Sequence, residues 1–191
     1  RLVGDMLFIA QVEAGRLSLE TRSLDLARVA ADAVEAALAL KELLEELEFT
    51  PRVKTSGNRG VHVYATIAPT HEFLDVRHGV IGIARELERR LPELVTTAWW
   101  KEERGERIFV DYNQNLRDRT IASAWSLRAR PGAPVSTPVT WEQLAAVDDP
   151  RAFNLTTVAE ALKREQAGEK LLADYAGRAR AWATAALLIA A

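Results

Sequence analysis

The stretch from Leu26 to Tyr64 leaves few architectures open. Val29, Ala33, Ala36, Ala37, Leu40, Leu43, Leu44 and Leu47 recur at three and four positions with charged residues between them. That spacing predicts one long helix over Leu26 to Leu47 with a single buried face. Pro51 ends it. Arg52-Val-Lys-Thr55 then reads as a short strand, Thr55 to Gly60 as a polar loop, and Val61-His62-Val63-Tyr64 as a second strand. Because a strand has a period of two, His62 and Tyr64 share one face and Val61 and Val63 the other. A helix with one apolar face followed by paired strands predicts a helix layer on a sheet, an α+β architecture.

The remainder of the chain supports that class. A turn at Pro69 and Thr70 is followed by a second helix over 72–91, with Phe73, Val76, Val80, Ile83, Ala84, Leu87 and Leu91 on one face and Pro92 closing it. Arg104-Gly105 has the look of a hairpin turn, and 107–112 is a further strand. The segment near 121–128 reads as extended, ahead of Pro131-Gly132-Ala133-Pro134. Short helices are expected over Trp141 to Ala146 and Val158 to Arg164. Thr140 caps the first of these, with Gln143 three residues on. The sheet is therefore expected to be mixed or antiparallel, built from 51–55, 60–67, 107–112 and 121–128.

Composition narrows the chemistry. A chain of 191 residues that is 48% apolar can bury a core. It has no cysteine, so disulfides and thiolate metal sites are excluded, which fits a reducing cytoplasm, and any metal must take oxygen or histidine ligands. A formal net charge of −2 argues against bulk electrostatic binding of nucleic acid, so such contact needs a local patch. No secretory signal is visible, and the longest apolar run, 181–191, is too short to span a bilayer, so no membrane partner is expected. The first residue is Arg, from which residues upstream are expected to be missing.

Candidate chemistry gathers at three places. The loop from Thr55 to Gly60 combines glycine backbone, hydroxyls and Arg59, a composition suited to an anion such as phosphate, although Ser56 and Arg59 also suit a plain turn. His62 fits either a hydrogen-bonded core residue or a catalytic group. Asp111 interrupts the apolar run Ile108-Phe-Val110, and an unpaired buried carboxylate would cost several kcal/mol. It calls for a metal ion or for an internal ion pair with Arg128 or Arg107. Lys101, Arg104, Arg107, Arg117, Arg119, Arg128 and Arg130 are either a solvated face or, if clustered beside the loop, a phosphate track.

Two resemblances sharpen these readings. Residues 1–15, together with Ser23 to Leu26 and Val29 to Ala36, resemble the second dimerisation helix of a sensor histidine kinase and its linker. The phosphoacceptor histidine of that family would lie before Arg1 and no ATP-binding boxes follow, so kinase activity is not implied. Over about 34–167, Lys54-Thr-Ser-Gly-Asn-Arg-Gly-Val-His-Val-Tyr64, Ile108-Phe-Val-Asp-Tyr-Asn-Gln-Asn115 and Ser126-Leu-Arg-Ala-Arg-Pro-Gly-Ala-Pro-Val-Ser-Thr-Pro138 resemble successive motifs of the polymerase domain of bacterial DNA ligase D. That domain belongs to the archaeo-eukaryotic primase superfamily.

The second resemblance implies a nucleotidyltransferase that adds nucleotides to DNA ends in non-homologous end joining, in a bacterial cytoplasm at the nucleoid. It implies a nucleoside triphosphate and DNA ends as ligands, a ligase domain and Ku as partners in the parent protein, and Mn2+ or Mg2+ as cofactor. By motif match, Ser56, Gly57, Arg59, His62, Gln114 and Arg128 are nucleotide-binding, Lys101 and Arg104 contact nucleotide or DNA, Asp111 is a metal ligand, and Asp111 and His62 are catalytic. The family's metal site also needs an Asp-x-Asp pair ahead of the long helix, where this chain reads Glu20-Thr-Arg-Ser-Leu-Asp25. The expectation is therefore a catalytically impaired, partial domain. It comprises a histidine-kinase-like segment over 1–36, the C-terminal part of a polymerase domain over 37–167 and an alanine-rich helical tail over 168–191. A non-catalytic nucleotide- or DNA-end-binding module and a dimerising signalling fragment led by 1–36 are the alternatives.

Overall fold

A computed structural model describes residues 26–147, 149–165 and 184–190. Of the segment expected to be histidine-kinase-like, 1–36, residues 1–25 lie outside the described residues, and 26–36 are helical. Asp25 lies outside them too.

Helix α1 spans Leu26–Glu46 and buries Ala33, Ala36, Ala37, Leu40 and Leu44 completely. Its end is marked by Glu48, whose φ of 63° turns the chain back, and by Phe49, whose N–H donates to the Leu44 carbonyl. Strands β1 (Arg52–Thr55) and β2 (Val61–Thr66) follow, paired antiparallel with Lys54 opposite His62 and Thr55 opposite Val61. Helix α2 (Phe73–Arg90) buries Val80, Ala84 and Leu87, four and three residues apart, against the same sheet face. Strand β3 (Val95–Thr96) lies parallel to β4 (Ile108–Asp111). The connection between them is accordingly a crossover with a 3-10 turn at Lys101–Glu103, and Gly105, at φ 60°, serves that turn rather than a hairpin.

Strand β5 is Pro138–Val139, helix α3 Trp141–Ala145, and helix α4 Leu155–Glu165. The capping box at α3 is complete: Thr140 Oγ1 accepts from the Gln143 N–H at 3.1 Å, and the Gln143 side chain accepts from the Thr140 N–H at 2.8 Å. The last strand, β6, is Thr184–Ala190. Among the described residues no helix is long and apolar enough to cross a membrane.

The mixed sheet runs β3-β4-β6-β2-β1-β5, so the fold is α+β as expected, with two departures. The segment 121–128 is not a strand of this sheet; it forms only an isolated bridge, Leu127 to Val135. Its polar and proline-bounded neighbours keep it on the surface, and Pro138–Val139 takes the edge beside β1 instead. The expected helical tail is also corrected over 184–190, which is extended. Without β6 the facing edges of β2 and β4 would leave two rows of N–H and C=O groups unpaired. Satisfying both rows outweighs the modest helix preference of alanine and leucine.

One sheet face carries Val61, Val63, Ala65, Ile108 and Val110 against α1 and α2 and forms the core. Alternation sends Lys54, His62, Tyr64, Phe109 and Asp111 to the opposite face. That second face holds every candidate group on the strands.

Candidate functional site

The β1–β2 loop is an ordered turn built on Ser56. Its N–H donates to the Gly60 carbonyl at 2.9 Å, and its Oγ accepts from the N–H groups of Asn58 and Gly60 at 3.1 and 3.2 Å. Gly57 has φ 68°, and a Cβ there would stand 2.5 Å from Arg128 Cγ and 3.0 Å from the Ser136 nitrogen. Both facts demand glycine: the left-handed backbone and the close approach of another chain segment. The loop is thus clasped to residues 128–137. Thr55 strengthens the clasp, since its N–H donates to the Thr137 carbonyl at 2.8 Å and its Oγ1 donates to the Val135 carbonyl and accepts from the Thr137 N–H. Sequence positions 56 and 128 are brought together in this way, with the Arg128 stem lying over Gly57.

Behind the loop, Lys54 and His62 face one another across β1 and β2. Lys54 is 3% exposed and His62 7%. Lys54 Nζ lies 2.7 Å from His62 Nδ1 and 2.5 Å from Ser136 Oγ, and the ammonium stands 5.8 Å over the Tyr64 ring. No carboxylate pairs with Lys54 among the described residues. Burial, reinforced by the positive charge of Arg128, lowers Lys54 to about 7. Burial, then Lys54 and Arg128, lowers His62 to about 3, so at neutral pH the imidazole is uncharged. Lys54 was not singled out from the sequence. The signal was available: a strand-loop-strand in register puts residue 54 opposite residue 62 on the polar face.

Asp111 sits in a different environment. It is half-buried at the C-terminal end of β4, where its Oδ1 accepts from the Asn113 N–H at 2.9 Å and its Oδ2 from Gln114 Nε2 at 3.2 Å. Neither Arg128 nor Arg107 pairs with it; Arg107 donates to the carbonyls of Glu103, Arg104 and Pro92. The ion pair, one of the two alternatives for Asp111, is absent among the described residues, and a turn of amide donors satisfies the carboxylate instead. Arg77 holds that turn from α2, donating to Asn113 Oδ1 at 2.9 Å. Gln114 is therefore a neighbour of Asp111 rather than of the Ser56 loop.

Lys101 and Arg104 lie before β4, at its other end. Lys101 is exposed, while Arg104 donates to the carbonyls of Ala98 and Trp99 and stacks 3.6 Å over the Phe109 ring. Its guanidinium braces the β3–β4 crossover.

Register shows how the loop half and the Asp111 half relate. Leu188 of β6 is paired with His62 on one side and with Asp111 on the other. The cross-strand row reads Lys54, His62, Leu188, Asp111, which separates His62 from Asp111 by two strand spacings, or about 10 Å. A leucine at 188 has no side-chain oxygen for a hard cation. Among the described residues no group of three or more His, Asp or Glu is arranged to hold a metal ion. One carboxylate already accepting two hydrogen bonds does not fit a two-cation site, which needs several oxygens per ion.

Comparison with known proteins agrees with this architecture. The primase-polymerase domain of LigD matches residues 24–186, and the chain belongs to that family. The match extends beyond both bounds, 37 and 167, expected for the polymerase-like part. The chain is 35% identical over 144 residues to the multifunctional non-homologous end joining protein LigD of Pseudomonas aeruginosa, covering 75% of this chain and 17% of that protein. It is 30% identical over 134 residues to the bifunctional LigD of Bacillus subtilis, covering 70% of this chain and 22% of that protein. It is similar in fold to the polymerase domain of Mycobacterium tuberculosis ligase D solved in complex with DNA, with a TM-score of 0.65 at 29% identity over 75% of this chain and 48% of that one. The chain thus spans less than a quarter of either curated relative.

Proposed function

We propose that this chain is the nucleotide-binding part of a primase-polymerase nucleotidyltransferase that works at DNA ends in non-homologous end joining, and that its own capacity for nucleotide addition is feeble. The observation that carries the first half is the cationic clasp: Ser56, Gly57 and Arg59 on one loop, Arg128 lying over that loop, and Lys54 with His62 behind it. A triphosphate is the ligand whose charge suits three cations with no carboxylate among them in the described residues. Ser56 retains a hydroxyl proton for a phosphate oxygen, and Arg59 and Arg128 supply cationic donors from two directions. DNA ends, a ligase domain and Ku are the partners proposed for the parent protein, by analogy with the end-joining relatives.

The second half rests on the row Lys54, His62, Leu188, Asp111. Mn2+ or Mg2+ would supply charge stabilisation at the transferred phosphate in this chemistry. The described residues offer Asp111 alone for it. A non-catalytic module that binds nucleotide or DNA ends is the second reading, favoured by the same leucine.

Titration of the full chain with ATP, and primer extension on a gapped duplex with manganese and ribonucleotides, test both halves. Arg59→Ala is expected to weaken ATP binding about tenfold or more, and Asp111→Ala to leave it unchanged. Robust incorporation that Asp111→Ala abolishes would show that catalysis is intact. ATP binding indifferent to Arg59 would remove the nucleotide-binding reading.

A further inference from the structure

We propose that Lys54 is a positioning residue that holds His62 in one neutral tautomer, with its proton on Nε2, so that the ring presents a donor to the triphosphate. This rests on the reading of the Ser56 loop as a triphosphate site.

The geometry leaves Nδ1 one role. Lys54 Nζ approaches it at 2.7 Å as an ammonium, which can only donate, and the Tyr64 hydroxyl, which can also donate, lies at 3.4 Å. The lysine is itself aimed. Ser136 Oγ donates to the Thr55 carbonyl at 2.9 Å, so towards Lys54 the same oxygen can only accept, and Nζ donates to it. Ser136 is fully buried and is held by the same clasp that seats Arg128 over Gly57, so lysine, serine and loop form one connected set. An Nδ1 that accepts from a cation carries no proton, and a neutral imidazole then keeps its single proton on Nε2.

The order of proton affinities agrees with this. Lys54 is lowered to about 7 and His62 to about 3, so the proton between them stays on nitrogen Nζ. Among the described residues, the charged groups facing the pair are Lys54 itself on β1 and Arg128 from the loop over Gly57; Tyr64 on β2 contributes a hydroxyl. All of this charge is positive, which disfavours an imidazolium and favours a polyanion. His62 in this arrangement is a hydrogen-bond donor, not a general base.

Long-range nitrogen–proton NMR of the full chain tests the proposal directly. The three histidines are His62, His71 and His78, and His62→Gln identifies the signal of interest. At pH 6 wild-type His62 is expected to be neutral with the proton on Nε2. Lys54→Met should mix the tautomers or let the ring titrate near its ordinary value, and weaken ATP binding about three- to tenfold. Lys54→Arg, which keeps a cationic donor, should restore both. A wild-type ring protonated on Nδ1 overturns the proposal and needs no variant to fold. So does a Lys54→Met protein whose His62 tautomer is unchanged, and so does a switched tautomer with unaltered ATP affinity. If wild-type protein fails to bind ATP while the tautomer is as stated, the triphosphate reading has failed and the Lys54–His62 geometry has not.

Discussion

The two halves of the polar sheet face are built on opposite terms. Around the Ser56 loop three cations gather with no acid among them in the described residues, clasped by hydrogen bonds between Thr55 and residues 135 and 137 and by a glycine with no room for a side chain. Around Asp111 a carboxylate stands without an ion pair among the described residues, satisfied by the amides of its own turn. Adjacent on one surface, such halves would neutralise one another. They do not meet, because a whole strand, β6, lies between His62 and Asp111. The lesson is that local chemistry and site assembly are separate achievements: each half is well formed, and whether they act together depends on the strand placed between them.

The largest expected effect comes from that strand. Leu188→Pro would remove a ladder donor from the sheet centre and is expected to cost about 3 kcal/mol or more in urea denaturation. A loss under about 1 kcal/mol would mean that β6 does not hold the two halves apart.

Next is the pH dependence of the cationic half. His62 is lowered to about 3 when folded, so as pH falls from 6.5 towards 3 the unfolded chain takes up a proton that the native state refuses, and stability is lost in that window. The loss is on the order of 1 to 3 kcal/mol, and His62→Gln should flatten that limb. Lys54 acts in a higher window. Its folded value of about 7 lies below the ordinary 10.5, so the unfolded state binds more protons between them and stability rises with pH across that range. Lys54→Met should abolish the rise. Denaturation curves from pH 4 to pH 10 check both limbs, and a profile indifferent to both substitutions would mean that neither group is held in the state described.

Gly57→Ala is expected to destabilise the fold by about 1 to 3 kcal/mol and to weaken ATP binding, because the new Cβ meets backbone as well as the Arg128 stem. If it folds and binds as well as wild type, the loop is not clasped as described. The smallest effect belongs to the acidic half. Asp111→Asn retains an acceptor for the Asn113 N–H and breaks no ion pair, so it should change stability by less than about 1 kcal/mol. A change above about 2 kcal/mol would reveal a cationic partner and make the two halves more alike.

Much of this was legible from residue order. The helix over 26–46, the strand pair around the Ser56 loop, the helix over 73–90 and the Thr140–Gln143 capping box follow from periodicity, proline and cap chemistry, which act over a few residues. The segment 121–128 was misread because apolar content alone does not show whether a neighbouring edge is open. The tail over 184–190 was misread because alanine favours helix only until two unpaired strands compete for its backbone.

By itself, then, the sequence determined the α+β class, the glycine-flanked loop and the alternation that puts His62 and Tyr64 on one face of their strand. Those are properties of neighbouring residues and of strand geometry. Tertiary structure alone decided that Arg128 crosses Gly57, that Lys54 loses its water and turns to Nδ1 of His62, and that Leu188 stands between His62 and Asp111. Each of these depends on which distant segments become neighbours. That choice is made by the burial of apolar faces and the pairing of strand edges, which no short stretch of the chain encodes.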